Sequence, residues 1–250
     1  MYYSATTTQD YSKHCVGAAT SRTILGPYTP QTSALFCPLS IGGAIDAAGF
    51  KDWQRKGSGW GGNSGWGWAQ NEPHNSFWNS PWWGGGKDGR RYVTYKVDGN
   101  SIGHGGICGN TVAPIVGTPI VLQEVGSNGV DVVGGPVTIL NNNGLSDDGV
   151  TEAPSLVKTA AGEYVLFFSS GCYDGPDYNV NYATASNIDG PYTRRGPLLK
   201  TGELGLYAPG GADVYWDGVH MLFHADLGTT PNVRQMYTAL IDIDGVQVTL

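Results

Sequence analysis

Residues 150–171 read VTEAPSLVKTAAGEYVLFFSSG. Ser155–Lys158 and Glu163–Ser170 have the composition of two β-strands, the second rich in aromatic and branched residues, with a turn at Ala160-Ala161-Gly162. The run before them, NNNGLSDDG (Asn141 to Gly149), is turn-rich, and Asp147 and Asp148 read there as solvated turn residues. Glu152 stands between that loop and the first strand. A lone carboxylate at the mouth of a rigid sheet is well placed for acid–base chemistry, although most such glutamates are simply solvated.

The same unit occurs twice. Ala19-Thr20-Ser21 followed by Gly26-Pro27-Tyr28-Thr29 recurs, at the same internal spacing, as Ala183-Thr184-Ala185 followed by Gly190-Pro191-Tyr192-Thr193. An aromatic strand ending in serine precedes each copy, Tyr2-Tyr3-Ser4 in one and Phe167-Phe168-Ser169 in the other. A unit of aromatic strand, polar loop, small-residue strand (Val16–Thr20, Val180–Thr184) and Gly-Pro-Tyr turn predicts propeller blades or another repeated all-β architecture.

Composition agrees. A chain of 250 residues with 39 glycines and 11% aromatics suits one large all-β domain with tight turns. No convincing 3.6-residue period is present, so helix should be scarce. Charged residues make up 14% and the formal net charge is -7, which argues against a nucleic-acid binder and suits a neutral partner such as a polysaccharide. No stretch is long and apolar enough for a membrane span. The start, MYYSATTTQD, lacks the basic region and apolar core of a signal peptide.

The cysteines are Cys15, Cys37, Cys108 and Cys172, without a CxxC pair or a histidine at zinc-finger spacing. Two disulfides in an extracellular protein and four buried thiols are both compatible with this count. Cys15–Cys37 is the preferred pair, because it would tie one blade to its outgoing loop. Gly103 to Thr111 (GHGGICGNT) lacks the following Lys-Ser/Thr and helix of a phosphate loop, so no nucleotide site is expected.

HCVGAATS (14–21), GPYTP (26–30), GGAIDAAGFKD (42–52), YVTYKVDGNS (92–101), TEAPSLV (151–157), GPYT (190–193), PGGADV (209–214) and MLFHAD (221–226) resemble glycoside hydrolase family 43. The likeness is to its fungal secreted members that act on arabinan, arabinoxylan or xylan. The resemblance implies a five-bladed β-propeller with a pocket at one end of its axis. It also implies inverting hydrolysis by a general base, a general acid and an aspartate that tunes the acid. Glu152 matches the acid and Asp46 the tuning aspartate; Phe50, His224 and Arg234 match substrate-binding positions. In such a mechanism a neighbouring negative charge raises the pKa of the acid, and acid and base stand roughly 6.5–9.5 Å apart. No cofactor is implied as required, a structural calcium ion is compatible, and the expected form is an extracellular monomer. His224 has a second reading as a core histidine with a satisfied hydrogen bond, and Arg234 as a surface ion pair.

Two departures stand out. The family's base lies in an Asp-Pro motif of the first blade, and this chain has no Asp-Pro dipeptide. MYYSA resembles the interior of a second-blade strand, so the expectation is a propeller truncated at its N-terminus to about four blades, with exposed strand edges and no general base. Asp10, in a loop, is not expected to substitute. The second departure is Trp53 to Lys87, 35 residues that hold seven of the eight tryptophans. It reads either as a sugar-stacking loop or, preferably, as a translated intron or low-complexity insertion within a single domain spanning 1–250. The functional expectation is thus an impaired glycoside hydrolase, with a non-catalytic carbohydrate-binding propeller or an inactive truncated product as alternatives.

Overall fold

In β9 (Tyr164–Ser170, the FFSS strand) every side chain is buried, and successive residues serve different cores. Val165 and Phe167 pack with Val180, Tyr182, Met221 and Phe223, whereas Leu166 and Phe168 pack with Tyr92, Ile120, Leu122 and Leu140. A strand covered on both faces has no polar side, which is why its sequence is a continuous apolar run instead of an alternating one. The sheet containing it therefore lies between two others.

The computed structural model describes residues 1–53, 89–228 and 233–250. Among them there is no α-helix, only strands, turns and short 3-10 segments. The first sheet is β1 (Tyr2–Thr6), β2 (His14–Thr20) and β3 (Thr29–Pro30). The second is β4 (Ala44–Lys51), β5 (Arg91–Val97), β6 (Ile120–Val125) and β7 (Val132–Leu140). The third runs from β8 (Thr151–Lys158) through β9 and β10 (Asn179–Ala185) to β11 (Thr193–Arg194). The fourth is β12 (Tyr207–Val214), β13 (His220–Asp226) and β14 (Arg234–Leu240), followed by the hairpin β15 (Asp242–Asp244) and β16 (Gln247–Thr249). Each sheet is an antiparallel meander. The first strands of successive sheets touch, β1 with β4, and the leading strands β4, β8 and β12 do so in turn, as blades do around a common axis, although by the repeat β1 itself corresponds to a second strand. The all-β propeller expected from the sequence is the fold observed.

The repeat is also structural. β3 pairs with β2 through Ala19↔Pro30 and Thr20↔Thr29, and β11 pairs with β10 through Ala183↔Arg194 and Thr184↔Thr193. In both turns the Gly-Pro-Tyr tyrosine donates its hydroxyl to the carbonyl four residues back, Tyr28 to Ile24 and Tyr192 to Ile188. By this correspondence β1 matches β9, and among the described residues the first sheet has no counterpart of β8.

The disulfides are Cys15–Cys37, as preferred from the sequence, and Cys108–Cys172. Of the tryptophan-rich segment only Trp53 is among the described residues, and 54–88 lies outside them. Trp53 packs under the Lys158 ammonium, which is itself paired with Asp52 at 2.7 Å. The hairpin is closed across this point, since β4 and β5 pair through Lys51↔Arg91 and the Asp52 N–H donates to the Arg90 carbonyl. The chain thus leaves β4 about 17 Å along the strand from Asp46, at 3.3 Å per residue. Although the segment follows Asp46 closely in sequence, its point of departure is well separated from that carboxylate.

Asp147 and Asp148 are not solvated turn residues. Asp147 is buried, pairs with Arg194 at 2.8 Å and accepts from the Asn143 N–H, while Asp148 accepts from the Cys172 N–H. Both fasten the loop that enters β8. The central role of β9 yields a stability expectation: Phe167→Ala should cost about 3–5 kcal/mol in urea unfolding, against less than about 0.5 kcal/mol for the exposed Leu204→Ala.

Candidate active site

The leading strands β4, β8 and β12 share a local distortion that the sequence repeats only faintly. Their pairing registers skip between Ile45 and Ala48, between Glu152 and Ser155, and between Tyr207 and Gly210. Each skip contains one non-glycine residue with positive φ, namely Asp46 at 56°, Ala153 at 50° and Ala208 at 47°. A bulge of this kind re-aims the side chains next to it and costs backbone strain. β8 begins at Thr151, four residues before the strand expected from the sequence, which places Glu152 inside the strand at its bulge.

The distortions bring Asp46 and Glu152 into one cluster. Asp46 Oδ2 accepts the Ala153 N–H at 3.0 Å, so the left-handed residue of one strand holds the left-handed residue of the next. Ser4 Oγ of β1 accepts the Asp46 N–H at 3.2 Å. Glu152 is held on both oxygens: Lys96 Nζ lies 2.9 Å from Oε2, and the Tyr178 hydroxyl donates to Oε1 at 2.8 Å. Lys96 is 2% exposed, one of the largest fully buried side chains. Loss of hydration and the Glu152 charge push the Asp46 carboxyl up to about 6, against the pull of Lys96 and the Ala153 N–H. Burial lowers the affinity of Lys96 for its proton, but the carboxylates of Glu152, Asp46 and Asp98 outweigh this and raise its pKa. Burial, followed by the Glu152 charge, holds the Tyr178 phenol well above its ordinary value, so it acts as a donor.

His224 and Arg234 extend the cluster. The His224 ring stacks on Tyr178 with centroids 5.9 Å apart. Arg234 lies over the rings of Tyr173 and Tyr178, at 5.1 and 6.0 Å, and pairs with Asp226 at 3.5 Å. Burial and then the Arg234 charge lower the His224 pKa, so the imidazole is neutral. Its Nδ1 is buried without a hydrogen-bond partner among the described residues, which departs from the satisfied core histidine of the second sequence reading. Gly210 and Gly211 permit this packing. A Cβ on Gly210 would collide with the Tyr178 ring, and one on Gly211, at φ +60°, would stand 2.6 Å from His224 Nε2.

Phe50 is not brought to these groups. It packs edge-to-face on Tyr164, with centroids 6.2 Å apart, in the apolar layer between the second and third sheets. Asp10 is half-exposed and closes its own loop, accepting from Ser12 and pairing with Lys13. Among the described residues no group of three or more His, Cys, Asp or Glu side chains could hold a metal ion. The unpartnered nitrogen of His224 is a single donor, which does not fit a calcium site made of protein ligands. Sequence reasoning missed Lys96 and Tyr178. A lysine within RYVTYKV, where neighbouring side chains are buried on both faces, was a usable signal for Lys96; Tyr178 lies in a loop and carries none.

No protein-family model matches the chain, and no curated protein sequence does. Solved structures do. A thermostable family-43 glycoside hydrolase superposes with a TM-score of 0.70 at 22% identity, covering 100% of this chain and 69% of the other. An endo-1,4-beta-xylanase from Bacteroides thetaiotaomicron gives 0.63 at 20% identity, covering 99% and 73%. An alpha-L-arabinofuranosidase from Lactobacillus brevis gives 0.64 at 14%, covering 98% and 69%. At these identities the likeness is one of fold. The chain has the β-propeller fold of family-43 glycoside hydrolase structures, with a buried lysine–carboxylate cluster where its leading strands converge.

The raised Asp46 carboxyl has a consequence for stability. The folded state binds a proton more tightly than the unfolded chain between about pH 4 and 6, so this group's contribution falls as pH rises through that window. Asn tolerates positive φ and retains the oxygen that accepts the Ala153 N–H. Asp46→Asn should therefore be more stable than the parent in denaturant unfolding at pH 7, with the gain vanishing below pH 4. Lower stability of the variant at pH 7 would refute this electrostatic account.

Proposed function

We propose that this chain is a glycosidase-type propeller whose cluster acts on O-glycosidic bonds of arabinan, arabinoxylan or xylan. The observation that carries the reading is the approach of Asp46 and Glu152 on two bulged leading strands, with Tyr178, His224 and Arg234 beside them. Glu152 is the proposed general acid and Asp46 the neighbour whose charge tunes and orients it. His224 and Arg234 are proposed to meet the sugar, with the neutral imidazole and the guanidinium offering donors to its hydroxyls. The proposed course is inverting, with water attacking opposite the acid. As an extracellular monomer, the protein would need no cofactor for this chemistry.

Turnover is proposed to be impaired, because the sequence contains no Asp-Pro motif of the kind that carries the family's base. That feature, with the engagement of both Glu152 oxygens, favours a second reading in which the cluster binds sugar chains without cleaving them.

Hydrolysis of aryl α-L-arabinofuranoside, aryl β-D-xyloside and linear arabinan by the parent chain and by Glu152→Gln tests these readings. Weak hydrolysis is expected from the parent, with a loss of about 100-fold or more in the variant. Equal rates in both would remove Glu152 from the chemistry. Oligosaccharide binding without turnover in either would support the second reading, and the absence of both binding and turnover would contradict the two together.

A further inference from the structure

Tyr173 lies just beyond the end of β9, in the loop from Gly171 to Tyr178 that leads into β10. β9 ends level with Glu152, since Glu152↔Ser169 and Thr151↔Ser170 are partners in the β8–β9 ladder. The loop is fastened on several sides. The Gly171 N–H donates to the Asp147 carbonyl, and the Cys172 N–H to the Asp148 carboxylate. The Cys172 sulfur is bonded to Cys108 of the loop between β5 and β6, and the Thr201 hydroxyl donates to the Pro176 carbonyl. The carbonyl of Tyr173 itself accepts from the Arg234 guanidinium at 3.3 Å. An exposed aromatic ring on so constrained a backbone is preorganised, and covering it with a ligand costs little conformational entropy.

From Glu152 outward, two phenol rings and a guanidinium form a column. The Tyr178 hydroxyl touches Glu152, the Arg234 guanidinium lies 6.0 Å from the Tyr178 ring, and the same guanidinium lies 5.1 Å from the ring of Tyr173. Exposure rises along the column, from 3% at Tyr178 through 31% for the Arg234 side chain to 44% at Tyr173. Arg234 covers one face of the Tyr173 ring, so the surface left open is the opposite face and the ring edge. The other exposed aromatics among the described residues are placed differently. Tyr11 stands in the loop between β1 and β2, and Tyr215 and Trp216 lie beyond the end of β12 remote from its bulge. Asp226 pairs with Arg234 at 3.5 Å, so the column offers little free charge to an anion. An open phenol ring with a polar tip suits a neutral sugar, which presents C–H faces to the ring and hydroxyls to the tip.

We propose that Tyr173 is a specificity-determining residue, the platform of a further sugar subsite at the rim of the cluster, through which chains of several sugar residues are favoured over single sugars. This inference deepens the proposed function and rests on it for the class of ligand; whether the bound chain is cleaved does not enter.

Arabinose, arabinotriose, xylose and xylotriose, titrated into the intact chain carrying Glu152→Gln so that nothing is turned over, test this by NMR. Adding Tyr173→Ala is expected to lower the ratio of trisaccharide to monosaccharide affinity by about tenfold, while Tyr173→Phe, which keeps the ring, leaves it within about twofold. If the alanine variant does not fold, Tyr173→Leu carries the same expectation, since it also removes the planar ring. An unchanged ratio would overturn this inference alone, whether both sugars weaken together, as they would if Tyr173 acted only through Arg234, or neither does. A phenylalanine variant as impaired as the alanine one would overturn it too, because the hydroxyl and not the ring would then hold the sugar. Binding of no sugar by any variant, the Glu152→Gln chain included, would overturn it together with both readings of the cluster.

Discussion

The contact between Lys96 and Glu152 is the constraint around which the convergent end of the sheets is organised. Both side chains are largely withdrawn from water, on strands of different sheets. Attraction inside a protein offsets the loss of hydration only where the geometry is close and the remaining hydrogen-bonding capacity is used. Here the distance is 2.9 Å, and the second oxygen of Glu152 is taken by Tyr178. Such a pair adds little net stability compared with well-packed apolar residues, but removing one partner leaves a buried charge and costs about 3–5 kcal/mol. Its effect is to fix the position of the second sheet relative to the third. Asp46 reinforces that position through the Ala153 N–H.

The bulges explain how a regular meander delivers these groups to one place. Without the skips at Ile45, Glu152 and Tyr207, alternate residues of each leading strand would simply face the neighbouring sheets. With them, Asp46 and Glu152 turn toward the shared space even though they occupy different positions in their own skips. Asp46 takes the left-handed position, a role open to aspartate at lower cost than to most residues. In β8 and β12 that position is filled by alanine, followed by proline. The motifs Glu-Ala-Pro-Ser and Tyr-Ala-Pro-Gly are the sequence trace of this shared geometry.

Much of the fold was legible because its signals are local. Gly-Pro-Tyr turns, aromatic strands and small-residue strands repeat at matching spacing, and the structure reproduces them in register and in the back-bonded tyrosines. Asp46 and Glu152 could be read in the same way, since each sits in a recognisable short stretch. The remainder of the site arises from contacts between distant segments. Lys96 meets Glu152 across 56 residues, and Tyr178 meets it across 26. The misreading of Asp147 has the same origin, because its partner Arg194 lies 47 residues away and leaves no mark on the NNNGLSDDG run. Phe50 errs the other way: it borders the Asp46 stretch in sequence, yet the strand carries it into the apolar layer beside Tyr164.

A double-mutant cycle of Lys96→Met and Glu152→Gln, read by denaturant unfolding at pH 7, tests the dependence on this one contact most directly. Each single variant is expected to lose stability, and the double variant to be more stable than the summed losses imply by about 2 kcal/mol or more. Losses that add to within about 0.5 kcal/mol would contradict the account, since the two side chains would then act on the fold independently.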